Sequence, residues 1–151
     1  MPQSLATVYL HLVFSTKERR PWLHDEAVRA SLHEYLGGIS KRLECAPILI
    51  GGVEDHVHIL ARFGRTISIA DWVKEIKRSS NLWLQEHGTN WRDFQWQGGY
   101  AVFSVSQSSL SRVRDYVARQ EEHHRKLSFQ DELRAMFRKH EMDFDERYVW
   151  D

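Results

Sequence analysis

Apolar positions along the chain follow two spacings, and their order predicts the secondary structure. Four short runs are rich in branched and aromatic residues, as β-strands are, and they cover residues 5–15, 45–50, 56–63 and 100–106. In residues 25–44 and 68–83, apolar side chains recur every three or four positions, which is the spacing of an amphipathic helix. The order is therefore strand, helix, strand, strand, helix, strand. It predicts an α+β fold of the ferredoxin-like βαββαβ type, with an antiparallel sheet, two helices on one face and the other face free.

Helical spacing returns after the fourth strand. Apolar residues including Leu110 and Val117 form a stripe in a helix that we expect over about 109–126, and a helical tail over 128–151 follows. A length of 151 residues suits one domain. We therefore expect a single domain over 1–151, in which the ferredoxin-like part is extended by a C-terminal helix and tail.

The composition limits the kinds of site and the compartment. Cys45 is the only cysteine, which excludes an internal disulfide and a thiolate-rich zinc cluster, so a metal would be bound by nitrogen and oxygen. No apolar run is long enough to cross a bilayer, and residues 1–7 do not resemble a secretory leader. We therefore expect a cytoplasmic protein with no membrane partner.

The charges are unevenly distributed, although the formal net charge is zero. Residues 121–151 contain six Lys and Arg against nine Asp and Glu, which leaves fifteen against twelve in residues 1–120. This modest difference does not by itself predict nucleic-acid binding.

Two histidines, His56 and His58, lie within the apolar run 56–63. Side chains alternate along a strand, so both imidazoles point to one face while Val57 and Ile59 point to the other. Two neighbouring imidazoles can hold a divalent cation when a third donor arrives from elsewhere. The alternative interpretation is a pair of half-exposed strand histidines without a ligand, and the motif alone does not decide between them.

A tyrosine and a glutamine share one side of the helix expected over 109–126. At about 100° per residue, Tyr116 and Gln120 lie one turn apart on the flank of the apolar stripe. A tyrosine in this position can equally be a core residue with its hydroxyl in water, and Gln120 an ordinary surface amide. His123 and His124 lie close to the Tyr116 side, but histidines on helix surfaces are common and we leave both out of the candidate set.

A strand with paired histidines and a tyrosine helix on a βαββαβ fold together resemble the single-tyrosine HUH transposases, the IS200-like enzymes of insertion sequences and their REP-associated relatives. The resemblance runs over nearly the whole chain and is carried by residues 12–17, 56–58, 96–106, 115–125 and 145–150. It implies that His56, His58 and Gln120 bind a metal and that Tyr116 is the catalytic nucleophile.

The resemblance also implies an activity, namely cleavage and rejoining of single-stranded DNA near hairpins through a covalent 5′-phosphotyrosine. The implied cofactor is a divalent metal, Mg²⁺ or Mn²⁺, although imidazole ligands by type favour Mn²⁺ or Zn²⁺ over Mg²⁺. The implied assembly is a homodimer, in which Tyr116 of one chain can serve His56 and His58 of the other. Two alternatives stay open, a nucleic-acid-binding module without catalysis and a domesticated REP-binding protein.

Basic and aromatic residues supply candidates for DNA contacts. Cations bind phosphates and indole rings stack on bases, so the tryptophan-containing connection 91–96 is one candidate. The basic candidates are Lys17, Arg19, Arg20, Arg62, Arg65, Lys74, Lys77 and Arg78.

Overall fold

The computed structural model describes residues 2–151. The first six elements are β1 (Tyr9–Ser15), α1 (Glu26–Arg42), β2 (Ala46–Gly52), β3 (His56–Arg62), α2 (Ile69–Gln85) and β4 (Ala101–Val105). The helices α3 (Leu110–Ala118), α4 (Gln120–His123) and α5 (Phe129–Lys139) follow. The strands form an antiparallel sheet in the order β2-β3-β1-β4. The predicted α+β, ferredoxin-like βαββαβ fold with additional C-terminal helices is confirmed.

Helices α1 and α2 cover one face of the sheet. Side chains alternate along a strand, so Phe14 of β1 and Val57 and Ile59 of β3 belong to the core under these helices and are fully buried. Trp72 of α2 is buried in the same core, and its indole Nε1–H donates to Ser40 Oγ of α1 at 3.0 Å. This face is an apolar core.

Three of the helices begin at polar residues whose side chains cap them. Asp25 Oδ1 accepts hydrogen bonds from the backbone N–H groups of the first turn of α1. Ser68 and Ser128 do the same for α2 and α5. Each such cap stabilises a helix by about 1 kcal/mol, which fixes where these helices start.

Within residues 2–151, none of the helices is long and apolar enough to cross a membrane.

The opposite face of the sheet is also covered, which corrects the expectation that it is free. Val13 of β1 and Phe103 of β4 pack against Phe129, Leu133 and Phe137 of α5. Helix α3 lies against β2 and β3. The physical reason is the amphipathic character of α5, because its apolar stripe needs an apolar surface and these strand residues provide one.

Two element boundaries differ from the prediction. Strand β1 begins at Tyr9 rather than at residue 5, because Tyr9 pairs with Arg62 and β3 ends there. The helix expected over 109–126 is interrupted at Arg119, whose φ of −103° and ψ of 25° are not helical. Helix α4 follows as a separate turn, in which Gln120 is only 1% exposed. The interruption therefore accompanies the burial of a polar side chain that a continuous surface helix would leave in water.

Candidate metal centre and tyrosine site

Four elements bring polar residues together beneath α3, α4 and α5. Strand β3 contributes His56 and His58, and both are fully buried. Helix α3 carries Tyr116 and Gln120 begins α4. Helix α5 adds Glu132, which is 1% exposed. The four predicted site residues therefore meet in one place, together with a carboxylate that was not in the candidate set.

The close approach of α3 to the sheet depends on Gly51 of β2. A Cβ atom at Gly51 would lie 2.2 Å from the backbone oxygen of Val117, far inside van der Waals contact. Gly51 also pairs with His58 in the β2–β3 register, so α3 crosses the sheet beside this histidine. The missing side chain thus lets Tyr116, one residue before Val117, reach the histidines.

Three imidazoles and one carboxylate form a cluster that could hold a metal ion. Potential ligand atoms of His56, His58, His124 and Glu132 all lie within 4.8 Å of one another. Glu132 Oε1 is 3.1 Å from the Nε2 atoms of His58 and His124 and 3.4 Å from His56 Nε2. Gln120 Oε1 lies 3.0 Å from His56 Nε2. These nitrogen and oxygen donors suit a divalent transition metal, and the three imidazoles favour Mn²⁺ or Zn²⁺ over Mg²⁺.

Each of the two strand histidines is held by a second hydrogen bond behind the cluster. His56 Nδ1 lies 2.7 Å from Asp55 Oδ1. His58 Nδ1 lies 2.7 Å from His11 Nε2, and these two rings stack with centroids 5.0 Å apart. Metal-binding histidines in proteins nearly always have such a partner on the other nitrogen, because it fixes the ring orientation and the tautomer. The Nε2 atoms are therefore presented toward Glu132 in a fixed geometry.

Glu132 connects the tyrosine to the histidine cluster. The Tyr116 hydroxyl donates to Glu132 Oε2, and Gln120 Nε2 donates to the same oxygen at 3.1 Å. The Tyr116 ring also lies near His58, with ring centroids 5.9 Å apart. One carboxylate thus accepts from the candidate nucleophile with one oxygen and contacts the histidines of the cluster with the other.

The electrostatics of this cluster keep the tyrosine neutral. Burial alone would raise the pKa of Glu132, but hydrogen bonds from His124, His56 and His58 outweigh it and hold that pKa far below its usual range. Burial and the nearby Glu132 charge raise the pKa of Tyr116 well above that of an ordinary tyrosine. Burial lowers the pKa of His58, whereas hydrogen bonds to Asp55 and Glu132 overcome burial and raise the pKa of His56 to about 9. In this state the negative charge stays on Glu132 and the proton on Tyr116.

Three residues of this arrangement were missed or set aside in the sequence analysis. Glu132 lies three residues after Phe129 and four before Met136, so a charged residue on the apolar side of an amphipathic helix was the available signal. His11 lies two residues before Val13 on β1, and Val13 pairs with His58, so the strand register places His11 on the same face as His58. His124 was noticed but left out, because a histidine on a helix surface is usually unliganded.

The basic residues of α2 do not lie near the cluster. Lys74, Lys77 and Arg78 belong to α2, which covers the face of the sheet opposite the site. Lys77 is engaged there, since its ammonium donates to the backbone oxygens of Gln97 and Gly99 at 2.8 and 2.5 Å. Their contact with DNA stays a prediction, and it would require a strand that passes around the sheet.

The remaining basic candidates lie at the two ends of β3. The cations of 17–20 come directly after β1, at the end of the sheet where His56 begins β3. Arg19 lines a small cleft that also borders the cluster. Arg62 ends β3 on the opposite side, and Arg65 follows it. The 17–20 segment is therefore the part of this set best placed to contact a strand entering the site, and DNA contact stays a prediction for all of them.

Comparison with known proteins identifies a family model that matches the sequence and solved structures with a similar fold. The family model "Transposase IS200 like" matches residues 4–120. A crystal structure assigned as a transposase from Deinococcus radiodurans R1 is similar to this chain with a TM-score of 0.62 and 24% identity, over 80% of this chain and 95% of that one. The REP-associated tyrosine transposase bound to a REP hairpin is similar with a TM-score of 0.59 and 12% identity, over 82% of this chain and 73% of that one. No curated protein matches the sequence. The two structures share the fold, and the family model covers most of the sequence, so this chain belongs to the family of IS200-like transposases.

Proposed function

We propose that this protein is a metal-dependent transposase that cleaves and rejoins single-stranded DNA near hairpins through a covalent 5′-phosphotyrosine on Tyr116. The observation that carries the proposal is Glu132, which contacts both the Tyr116 hydroxyl and the Nε2 atom of His58. A nucleophile and a set of metal ligands thus share one buried site. A protein that only binds nucleic acid has no use for this arrangement.

The metal would be held by His56 and His58 with Gln120, and His124 and Glu132 are further donors within reach. A divalent cation at this position supplies charge neutralisation at the non-bridging oxygens of a phosphodiester, which otherwise repel a nucleophile. The sequence resemblance names Mg²⁺ or Mn²⁺, and the additional imidazole of His124 favours Mn²⁺.

Tyr116 acts as the nucleophile. Its hydroxyl oxygen attacks phosphorus, so that a bond from oxygen to phosphorus forms while the bond from phosphorus to the 3′ oxygen breaks. As the bond to phosphorus forms, the hydroxyl proton leaves along its hydrogen bond to Glu132 Oε2, which relays it to the leaving 3′ oxygen without retaining it. The products are a 5′-phosphotyrosine and a free 3′-hydroxyl, and attack by the 3′-hydroxyl of another strand reverses the step. Phosphodiester bond energy is conserved throughout, so no nucleotide cofactor is needed.

The assembly proposed from the resemblance is a homodimer. Tyr116 already contacts Glu132 of its own chain, so a site shared between chains is not required for the first cleavage. The partner chain would instead supply a second site for strand exchange. The proposed substrate, a single strand with a hairpin, is supported by the similar transposase whose structure holds a REP hairpin.

The test is formation of a covalent adduct with DNA. Hairpin-bearing single strands taken from the DNA that flanks the gene are incubated with the protein and Mn²⁺ or Mg²⁺, then separated under denaturing conditions. We expect a metal-dependent protein–DNA adduct with the parent chain and none with Tyr116→Phe, which removes only the reacting hydroxyl. Tyr148→Phe is the matched control, because Tyr148 is 64% exposed and should form adducts like the parent. An adduct that persists in Tyr116→Phe would overturn the assignment of the nucleophile.

A further inference from the structure

A cleft of about 640 Å³ adjoins the tyrosine between α3 and α5, with strand residues from β1 and β4 among its lining. Tyr116 and Glu132 both line it, so it adjoins the candidate nucleophile and the carboxylate to which that tyrosine is hydrogen-bonded. Its volume lies within the range of about 300–1,000 Å³ typical of small-molecule sites. A ligand in this cleft would therefore lie beside Tyr116.

The walls of the cleft offer flat and apolar surfaces. Phe103 of β4 lines it, and its ring packs on the ring of His140 with centroids 4.7 Å apart. Val113 of α3 and Met136 of α5 line the same cleft from the two helices. A nucleobase has two apolar faces, and aromatic and thioether side chains are good surfaces for it.

The charges around the cleft favour an anionic ligand. Arg112 of α3 and Lys139 of α5 line it, and within residues 2–151 neither forms an ion pair with a carboxylate. Arg134, also on α5, pairs with two carboxylates. The only carboxylate in the lining is Glu132, whose charge is already compensated by the histidines. The two unpaired cations are therefore available for a phosphate.

A buried histidine adds a polar group to this lining. His11 is 3% exposed and lines the cleft. Its Nε2 lies 2.7 Å from His58 Nδ1. The other ring nitrogen of an imidazole can also donate or accept a hydrogen bond, so His11 is placed to contact a polar edge of a base.

We propose that this cleft binds the nucleotide next to the scissile phosphate, with the base between α3 and α5 and an adjoining phosphate on Arg112 and Lys139. The inference rests on the proposed function, because it takes Tyr116 as the point of attack. It adds a determinant of sequence preference, since a base that fits the cleft places the neighbouring phosphorus at the tyrosine.

The test measures binding without cleavage. Methionine methyl groups of the full chain are labelled with ¹³C, and the protein in EDTA is titrated with each of the four deoxynucleoside 5′-monophosphates. We expect at least one nucleotide to shift the Met136 signal in a saturable way, with one base preferred. Met142 is an internal control, because it lies outside the cleft lining and its signal should not move. Deoxyribose 5-phosphate, which lacks a base, should leave Met136 unchanged.

Substitutions locate the binding in the cleft. Arg112→Gln and Lys139→Gln should each weaken nucleotide binding by about tenfold, because each removes a charge-assisted contact. Arg138→Gln is the matched control, since Arg138 is an exposed arginine of α5 outside the lining and should bind like the parent. Ala135→Trp fills the cleft from α5 and should abolish the Met136 shift, while the spectrum of Met142 shows whether that variant is folded.

Several outcomes would overturn the inference. Nucleotides could leave Met136 unmoved, or base-free sugar phosphate could shift it equally. A Met136 signal that depends on protein concentration and not on nucleotide would instead indicate a second copy of the chain in the cleft. None of these results depends on Tyr116 chemistry, so a failed adduct assay with intact nucleotide binding would reject the proposed function and a failed titration with intact adducts would reject the cleft.

Discussion

The two faces of the sheet come from the same strands but bury different kinds of side chain. On one face, Phe14 and Ile59 pack with Trp72 in an apolar core under α1 and α2. On the other face, β3 presents the alternate residues His56 and His58, which are equally buried but are hydrogen-bonded to polar partners. Burying apolar groups stabilises the fold directly, whereas burying polar groups is costly unless each finds a partner. The first face therefore stabilises the fold, and the second contains a cluster of buried polar groups whose burial cost the apolar contacts must offset.

The largest expected effect tests the apolar face. Trp72→Ala removes a fully buried side chain and should lower the free energy of unfolding by about 3–5 kcal/mol. Urea unfolding in EDTA measures this loss. Leu82→Ala is the control on the same helix, because Leu82 is 49% exposed and its truncation should change stability by less than about 0.5 kcal/mol. Equal losses in the two variants would mean that α2 is not anchored through Trp72.

The next effect concerns the contact that docks the tyrosine helix. Gly51→Ala forces a Cβ against the Val117 oxygen and should cost about 1–3 kcal/mol of stability, while adduct formation falls further than the loss of folded protein explains. Adduct yield per folded molecule is the measurement. Gly38→Ala is the control: no atom lies within 4 Å of a Cβ at this helical position, so it should be neutral or stabilising. Full adduct formation by folded Gly51→Ala would show that this contact does not position Tyr116.

A third effect is confined to the polar face. Glu132→Gln keeps the size of the side chain but removes its charge, so affinity for Mn²⁺ should fall by about tenfold or more. Calorimetric titration of the metal measures it. Glu122→Gln serves as the comparison, since Glu122 is exposed on α4 and outside the cluster. Unchanged Mn²⁺ affinity in Glu132→Gln would limit the metal ligands to the histidines and Gln120.

The smallest effect depends on pH. The pKa of His56 is lowered by burial but raised more by Asp55 and Glu132, to about 9, so its protonated form stabilises the metal-free protein below pH about 6.5 and that contribution is lost as pH rises through about 9. Asp55→Asn should reduce this fall in stability, as measured by urea unfolding in EDTA between pH about 6.5 and 9. Burial lowers the pKa of His11 and of His58 below about 6.5. Their titration therefore does not contribute to the change in stability between pH about 6.5 and 9.

The control for the pH experiment is Asp93→Asn. Asp93 is exposed and forms no ion pair among the described residues, so this variant should keep the pH dependence of the parent. An unchanged fall in stability in Asp55→Asn would mean that Glu132 alone holds the proton on His56.

Local spacing accounts for what the sequence predicted well. Alternation along a strand assigns His56 and His58 to one face, and one helical turn separates Tyr116 from Gln120, so these relations need no knowledge of the fold. Bringing the two pairs together required the family resemblance, because 57 residues lie between His58 and Tyr116. The fold class also followed from local patterns, because the order of the predicted strands and helices is that of the βαββαβ fold.

Tertiary contacts account for what was missed. Glu132 becomes part of the site because α5 lies on the histidine face, where the apolar pattern alone did not place the helix of the C-terminal tail. No glycine or proline, the residues that usually interrupt a helix, lies next to Arg119, so the sequence gives no local signal for the interruption there. The interruption is stabilised by the hydrogen bonds that buried Gln120 forms with His56 and Glu132. Both features depend on partners distant in sequence, which local patterns do not contain.

We propose that the polar face of one chain carries a complete catalytic site. A Tyr116→Phe chain retains the metal ligands, and a His56→Ala chain retains the tyrosine, so mixing the two tests whether the halves can be shared. Cleavage of a hairpin-bearing single strand that the parent cuts is measured for each variant alone, for the mixture and for the parent. We expect the mixture to be as inactive as the separate variants, because Tyr116 contacts Glu132 of its own chain and is proposed to act with the histidines of that chain. Cleavage restored in the mixture would contradict it and would place the tyrosine in the partner's site.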